Sequence, residues 1–292
     1  MLLDPIARLR RFNRAVTREV GALQTSYFGR GRPLGSVRVL QLVTPNGTDV
    51  ADIRRQLALD SGFASRILRG LEAEGLITVS PDDGDRRRRI ARMTAKGEAE
   101  MAAYEAMGHE QAATLLSRAP HHRDALLAAM DLIATTLNQD LIDIRPADPD
   151  EPAAIACLSA YFTLLCTKID GVTADMFTLP DPKADTYRAP LGQFLIAWSD
   201  DMPVGCVSLR PLEPGIAEVK RLWVAPDARG QGLARALMHE IESIARQMGF
   251  QRLKLDTNAV LTEAIALYLA SGWVETAPYS DFPSTHWFTK PL

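Results

Sequence analysis

Along residues 5–23 the apolar positions Ile6, Leu9, Phe12, Ala15, Val16, Val20 and Leu23 return at helical spacing. Arg8, Arg10, Arg11, Arg14 and Arg18 fill the remaining face, which predicts a long amphipathic helix. A second helix is expected over 36–44 and a third over 48–57, capped by Thr48 or Asp49. Asp60-Ser61-Gly62 offers a further cap, and Phe63, Ile67, Leu68, Leu71 and Leu76 mark the apolar stripe of a fourth helix closed by Gly75. Two short helices around a tight turn read as a helix-turn-helix. Residues 76–80 then alternate as a strand, Pro81-Asp82-Asp83-Gly84-Asp85 is a turn, and 86–94 return as a second strand, so a β-hairpin with a cationic tip follows. Ala/Leu/Met-rich helices over 97–116 and 123–141 complete this half.

The pattern changes near Asn138, where Pro146, Pro149 and Pro152 punctuate a polar stretch. We therefore expect two domains, 1–140 and 141–292. The second opens with a strand over 142–145 and a helix over 151–168. An irregular region over 170–190, holding Pro180, Pro182 and Pro190, has the length of a substrate-side loop. Strands over 193–198 and 203–209 pair across residues 199–202, and a third runs over 217–224. A helix over 230–248, a strand over 252–257, a helix over 262–271 and strands near Trp273 and Trp287 give a mixed α/β order. The expected fold class is thus a mainly α winged helix-turn-helix followed by an α/β domain with a mixed sheet.

Composition adjusts this picture in three respects. With 292 residues, 47% of them hydrophobic and 24% charged, the chain can bury two cores of ordinary size. Lys and Arg outnumber Asp and Glu by 21 to 18 up to Arg145 and are outnumbered 12 to 18 beyond it, so the halves should meet different partners. Cys157, Cys166 and Cys206 lack C-x-x-C spacing, and His121-His122 has no neighbouring ligands, so neither a disulfide framework nor a metal site is expected. The start Met1-Leu2-Leu3-Asp4-Pro5 and its arginine-rich continuation hold Asp4 and Glu19 and lead to no cleavage-like site. With no apolar run long enough to span a bilayer, a cytoplasmic location without membrane contact is the expectation.

Four consecutive arginines, Arg86 to Arg89, would alone read as a solvated charge run. Behind a helix-turn-helix they read as a DNA-binding wing, with Ser61, Gly62, Ser65, Arg66 and Arg69 on the helix face turned to the major groove and Arg86 and Arg87 at phosphates or a narrow minor groove. The stretch from Leu59-Asp60-Ser61-Gly62-Phe63 through Glu74-Gly75-Leu76-Ile77, then Asp85-Arg86-Arg87 and Met93-Thr94-Ala95-Lys96-Gly97, resembles the winged helix of the MarR family over about residues 5–140. That resemblance implies double-stranded operator DNA as partner and a homodimer whose first and last helices interlock. Gly84 departs from it, standing where an arginine commonly precedes the wing aspartate.

In the second half, Glu218-Val219-Lys220-Arg221-Leu222-Trp223-Val224 ends at Ala225-Pro226-Asp227, and Arg229-Gly230-Gln231-Gly232-Leu233-Ala234 leads straight into a helix. Two glycines let the backbone approach a ligand, and the unpaired N–H groups and dipole of a helix N-terminus favour phosphate oxygens. A P-loop or Rossmann reading fails, because neither Gly-Lys-Ser/Thr nor Gly-x-Gly-x-x-Gly is present. Arg229-x-x-Gly232-x-Ala234, followed by Ala266-Leu267-Tyr268 and Gly272-Trp273, resembles the GNAT family of acetyl-CoA-dependent N-acetyltransferases over about residues 142–292.

The GNAT resemblance implies that acetyl-CoA is bound, its diphosphate by the amides of Arg229, Gly230, Gln231, Gly232, Leu233 and Ala234 and its pantetheine arm by the main chain of Leu222, Trp223 and Val224. Asn258 would reach that arm across a splay between strands; its alternative is a strand-end turn residue. Glu218 would take the proton of a small amine acceptor, or else be a carboxylate paired with Lys220 or Arg221. Tyr268 would both contact the cofactor and protonate the departing thiolate, or else be a core tyrosine with a polar tip. Tyr161, Arg188, Arg210 and Tyr279 are candidates for the acceptor pocket, with Arg188 or Arg210 able to read a carboxylate. The sequence thus points to a regulator that is also an enzyme. Two alternatives stand beside it, a regulator whose acetyltransferase domain only senses acetyl-CoA and a fusion whose winged helix only dimerises.

Overall fold

The computed structural model describes residues 4–82 and 84–292; Met1, Leu2 and Leu3 of the arginine-rich start and Asp83 of the expected hairpin turn lie outside the described residues. The chain divides into two compact units after Arg123.

In the first unit, α1 (Pro5–Glu19) begins where the Asp4 carboxylate accepts the Ala7 amide, and it buries none of its residues. It is followed by α2 (Leu34–Leu42), β1 (Thr48–Asp49), α3 (Val50–Gln56), α4 (Ser61–Ala73), β2 (Ile77–Pro81), β3 (Arg89–Met93) and α5 (Ala95–Ser117). Side chains set the helix starts: Asp49 accepts from Ala51 N, Asp60 from Phe63 N and Thr94 from Gly97 N. The strands form an antiparallel sheet in the order β1-β3-β2. Leu40, Ile53, Leu68, Leu71, Leu76 and Ile77 close the core between this sheet and the helices. At Gly97 a Cβ would stand 2.1 Å from the Leu76 carbonyl oxygen, so only glycine lets α5 start this close to the hairpin. Arg30 and Arg32 both bind the Glu100 carboxylate on α5, and the hydrogen bond from Arg30 leads in lowering its pKa to about 2.

The hairpin is shorter than the sequence pattern suggests. β3 starts at Arg89, so Arg86 and Arg87 sit in the turn rather than in a strand, because Asp82 and Asp85 fold the turn by accepting the amides of Gly84 and Arg87.

The second unit holds α6 (Arg123–Leu137), β4 (Asp143–Pro146), α7 (Pro152–Lys168), β5 (Gln193–Ser199), β6 (Met202–Glu213), β7 (Ile216–Val224), α8 (Leu233–Gln247), β8 (Arg252–Thr257), α9 (Thr262–Ala270), β9 (Val274–Glu275) and β10 (His286–Pro291). Its seven-stranded sheet runs β4-β5-β6-β7-β8-β10-β9, parallel only between β7 and β8. Those two strands are joined through α8, the crossover a parallel pair requires. Both sheet faces are covered. Along β5 the strand period of two sends Leu195 and Ala197 into the cluster with Leu237 and Ile241 of α8. Phe194 and Ile196 enter the cluster with Ala154, Cys157 and Leu158 of α7.

One polar group is built into this core. Glu242 of α8 accepts from Trp273 Nε1 at 3.2 Å and from Lys290 Nζ at 2.7 and 2.8 Å while only 5% exposed. Removing it leaves a buried indole N–H and a largely buried ammonium without partners. Because Lys290 keeps some access to water, Glu242→Ala is expected to cost about 2–3 kcal/mol, below the full figure for breaking a buried pair. Urea denaturation reads this directly, and a loss below about 1 kcal/mol would show the network to be energetically idle.

Candidate functional site

The glycine loop is built by backbone geometry. Ala225 N donates to Val204 O at 2.9 Å, and Pro226–Ala228 form a single 3-10 turn. Gly230 (φ 77°) and Gly232 (φ 82°) then turn the chain into α8 in the left-handed region, where a side chain brings strain. This moves the helix start from the expected position 230 to Leu233. Side chains pin the loop from beneath, Arg229 Nε on Val224 O at 3.2 Å and Gln231 Nε2 on Asp227 O at 3.3 Å. The Arg229 amide, expected among the diphosphate donors, is instead spent on Pro226 O at 3.4 Å by the 3-10 turn; the first helical bond is Ala236 N to Gly232 O, and among the described residues no protein acceptor takes the amides of residues 230–235. A Cβ placed on either glycine meets nothing within 4 Å, so the space above these amides is open. Free amides at a helix N-terminus are the kind of arrangement that can hold an anion.

The strands beside it separate. β7 and β8 pair only through Ile216↔Arg252, Ala217↔Leu253 and Glu218↔Lys254. Past Glu218, β7 continues against β6 up to Val224, whereas β8 continues against β10. Among the described residues the β8-facing edge of Leu222, Trp223 and Val224 therefore has no strand partner. A register shift between Cys206 and Ser208 accompanies Arg221 at φ 60°, a bulge inside the strand.

A cavity of about 540 Å³ opens at this splay. Leu222, Asn258, Tyr268, Tyr161 and Arg210 line it, so the structure brings five of the sequence candidates together. Tyr268 is buried against Trp273 and Phe288, yet its Oη makes no hydrogen bond within the described protein. Burial, then the charges near Tyr161 and Asp256, raises its pKa above the ordinary phenol range. Burial also leads in raising Tyr161. Asn258 behaves as a turn residue: its Nδ2 donates to Pro283 O at 2.5 Å and its Oδ1 accepts from Val260 N at 3.1 Å.

Other candidates lie elsewhere. Glu218 does not line the cavity; it is 1% exposed and accepts from Arg210 Nε at 2.7 Å, with Lys220 Nζ 3.4 Å away. Of the two pairings weighed for it, Lys220 is present and Arg221 is not, because the bulge carries Arg221 to Asp181 instead. Arg188 is taken up by Asp148, Asp150 and Asp185, so its guanidinium is not offered to the cavity. The Tyr279 hydroxyl is buried beside Glu218, and burial followed by the Glu218 and Asp256 carboxylates raises its pKa.

Sequence reasoning missed the ionic frame of the cavity. Asp256 accepts from Lys220 Nζ at 2.6 Å, Ser280 Oγ at 2.7 Å and Ser284 Oγ at 2.8 Å. Burial acts to raise this carboxyl, but Lys220 and the two hydroxyls outweigh it and hold its pKa below the usual value. The available signal was Lys220-Arg221, two adjacent cations inside a strand whose one other charged residue is Glu218.

In the first unit, Ser61, Gly62, Arg66 and Arg69 are exposed and Ser65 half-buried on the face of α4 opposite Ala64, Ile67, Leu68 and Leu71. Arg86 and Arg87 are exposed, and among the described residues neither forms an ion pair, whereas Arg88 is held by Asp49 at 2.7 Å. The cationic tip is thus narrower than four arginines.

The winged hairpin behind two short helices, and the splayed mixed sheet with a glycine loop opening a crossover helix, define a winged-helix fold and an acyltransferase fold in one chain. The GNAT acetyltransferase family model matches residues 162–273, and the MarR family model matches residues 31–88. An IAA acetyltransferase of Azospirillum brasilense is 35% identical over 111 residues, which cover 37% of this chain and 72% of that protein. The uncharacterized N-acetyltransferase YjgM of Escherichia coli is 38% identical over 106 residues, covering 34% and 64% respectively, so the chain spans a little under two thirds of that relative's length. An acetyltransferase structure from Streptococcus agalactiae covers 52% of this chain and 98% of its own at 22% identity and a TM-score of 0.44. The chain belongs to the GNAT acetyltransferase family, and its first unit carries a MarR-family domain.

Proposed function

We propose that this protein is a DNA-binding regulator that also transfers an acetyl group directly from acetyl-CoA to a small amine. The observation that carries the enzymatic half is the meeting, at one splay, of an open amide cradle, an unpaired strand edge and a buried phenol without a protein partner. These features fit coenzyme A. Residues 230–235 offer amides to a diphosphate, Leu222, Trp223 and Val224 offer main chain to a pantetheine arm, and Asn258 has one Nδ2 hydrogen left to reach it. When bound, acetyl-CoA supplies an activated acetyl thioester.

The protein's own residues then have separable tasks. A strand amide near Leu222 polarises the carbonyl that is attacked, the kind of donor whose loss costs on the order of 10² to 10³ in rate. Tyr268 holds a proton and releases it at the leaving sulfur. Glu218 receives the proton of the acceptor through a water, since Arg210 and Lys220 occupy its direct approaches. The same engagement of Glu218 favours the second reading, in which the domain senses acetyl-CoA without turnover. Release of coenzyme A thiol, assayed against a panel of amines and amino acids, separates the two. Turnover with at least one acceptor supports the enzyme, and silence across the panel with measurable acetyl-CoA binding establishes the sensor.

The regulatory half rests on the α4 face and on Arg86 and Arg87. Removing one arginine–phosphate pair should flatten the slope of log affinity against log salt by about 0.9, so the Arg86→Ala, Arg87→Ala double variant is expected to bind duplex DNA more weakly and with a shallower slope. Identical salt slopes for variant and parent, or no DNA affinity in the parent, would leave the winged helix only a dimeriser. The homodimer reading is supported by α1, where Ile6, Leu9, Phe12 and Val16 stand 39–56% exposed along one apolar stripe. Sedimentation equilibrium reads this state, and a monomer at micromolar concentration contradicts it. Among the described residues no helix is long and apolar enough to cross a membrane, and we place the protein in the cytoplasm.

A further inference from the structure

Arg221 is an unusual cation for a strand interior. It adopts φ 60°, a left-handed conformation that strains a residue with a side chain. The bulge turns its guanidinium into the cavity wall, where Cζ lies 4.8 Å from the Tyr187 ring centre and 5.5 Å from that of Phe162. Phe162 stacks in turn on Phe177, with centroids 4.2 Å apart. One edge of the guanidinium, Nη2, is held by Asp181 from the loop over residues 170–191. The other, Nη1, is buried and has no hydrogen-bond partner among the described residues. A buried N–H without an acceptor is unfavourable, more so on a charged group, so the folded chain keeps a costly unsatisfied donor on an arginine fork.

We propose that Arg221 is the residue that selects the acceptor, by binding a carboxylate in competition with Asp181, and that the acceptor is an α-amino acid with an aromatic or bulky apolar side chain. The inference rests on the acetyl-transfer reading and deepens it. A planar fork matches a carboxylate in a way no other cation of the cavity lining does: Arg210 has both its Nε and Nη2 on Glu218, Lys220 is bound to Asp256, and Lys183 is a point charge without the paired donors of a guanidinium. The rings of Phe162, Phe177 and Tyr187 around the fork supply the apolar wall for the side chain. Asp181 serves as an internal stand-in that keeps the arginine neutralised until the ligand carboxylate arrives.

The test measures binding, not turnover, so that it stands apart from the acetyl-transfer assay. In the presence of coenzyme A, calorimetry compares phenylalanine with phenethylamine, tryptophan with tryptamine, and leucine with isopentylamine. The carboxylate-bearing member of each pair is expected to bind at least about tenfold more tightly, the worth of a charge-assisted hydrogen bond. Arg221→Met should erase that preference, and Asp181→Asn, which keeps the arginine and removes its competitor, should strengthen it. The Asp181 variant also covers the case in which Arg221→Met does not fold. Equal binding within pairs, a preference untouched by both variants, or no binding by any member overturns the proposal. A retained carboxylate preference without any acetyl transfer would overturn the enzymatic reading alone.

Discussion

Glu in place of Gly232 is expected to weaken acetyl-CoA binding at least about hundredfold while leaving duplex DNA binding measurable. Two separate effects act at this position. Gly232 sits at φ 82° as the N-cap of α8, and a side chain there brings strain of about 1–2 kcal/mol that falls on folding and not on the ligand. The carboxylate acts on the ligand. A Cβ at Gly232 meets no protein atom within 4 Å, so the new side chain extends into the space over the amides of residues 230–235. There it satisfies the donors that a diphosphate would use and repels the diphosphate charge by about 4 kcal/mol per unit pair at 4 Å and an effective dielectric near 20. The second effect exceeds the first, so binding falls further than stability. Gly232→Ala carries the strain without the charge and serves as the control, with a much smaller change in affinity. Calorimetric titration with coenzyme A decides the matter, and an unchanged dissociation constant for the Glu variant would remove the diphosphate from this loop.

The contrast between Gly232 and Arg221 shows where sequence reading succeeds. Elements carried by local chemistry were legible: Asp49 and Asp60 each cap the helix that their spacing predicts. The strand over Arg252–Thr257 was legible too, through its apolar alternation. The glycine loop was recognised because two glycines before a helix leave few backbone options, although the left-handed turn at Gly232 delays α8 to Leu233. The bulge at Arg221 gives no such sign, because nothing in an arginine announces positive φ. The pairs that frame the cavity join residues 36 and 40 positions apart, Lys220 with Asp256 and Arg221 with Asp181, and only the folded topology makes them neighbours. Glu218 was legible as a strand carboxylate but not as one enclosed by Arg210, since that contact depends on the antiparallel register of β6 and β7. Local propensity and periodicity specify elements, whereas the electrostatics of a site is set by long-range pairing.

Tyr268→Phe is expected to lower kcat by roughly two orders of magnitude, within the usual range for a positioned acid, with little change in KM for acetyl-CoA. The argument rests on the substitution removing one oxygen and nothing else. The ring packs between Trp273 at 6.1 Å and Phe288 at 5.8 Å, contacts that phenylalanine keeps. Because Oη has no hydrogen bond within the described protein, its loss breaks no network, and stability should move by less than about 1 kcal/mol. A core tyrosine serving only as packing would therefore leave both rate and stability nearly unchanged, so a selective fall in kcat marks the proton donor. The pH profile adds an independent sign. Burial raises the phenol pKa above its ordinary value, so the protonated form persists to higher pH than the usual value near 10. The acid should stay competent across the neutral and mildly alkaline range, and the wild-type kcat should show no downward limb from this group below about pH 10. A decline at lower pH that disappears in Tyr268→Phe would mean that the phenol ionises in that range, and the role of acid would pass from Tyr268 to another group.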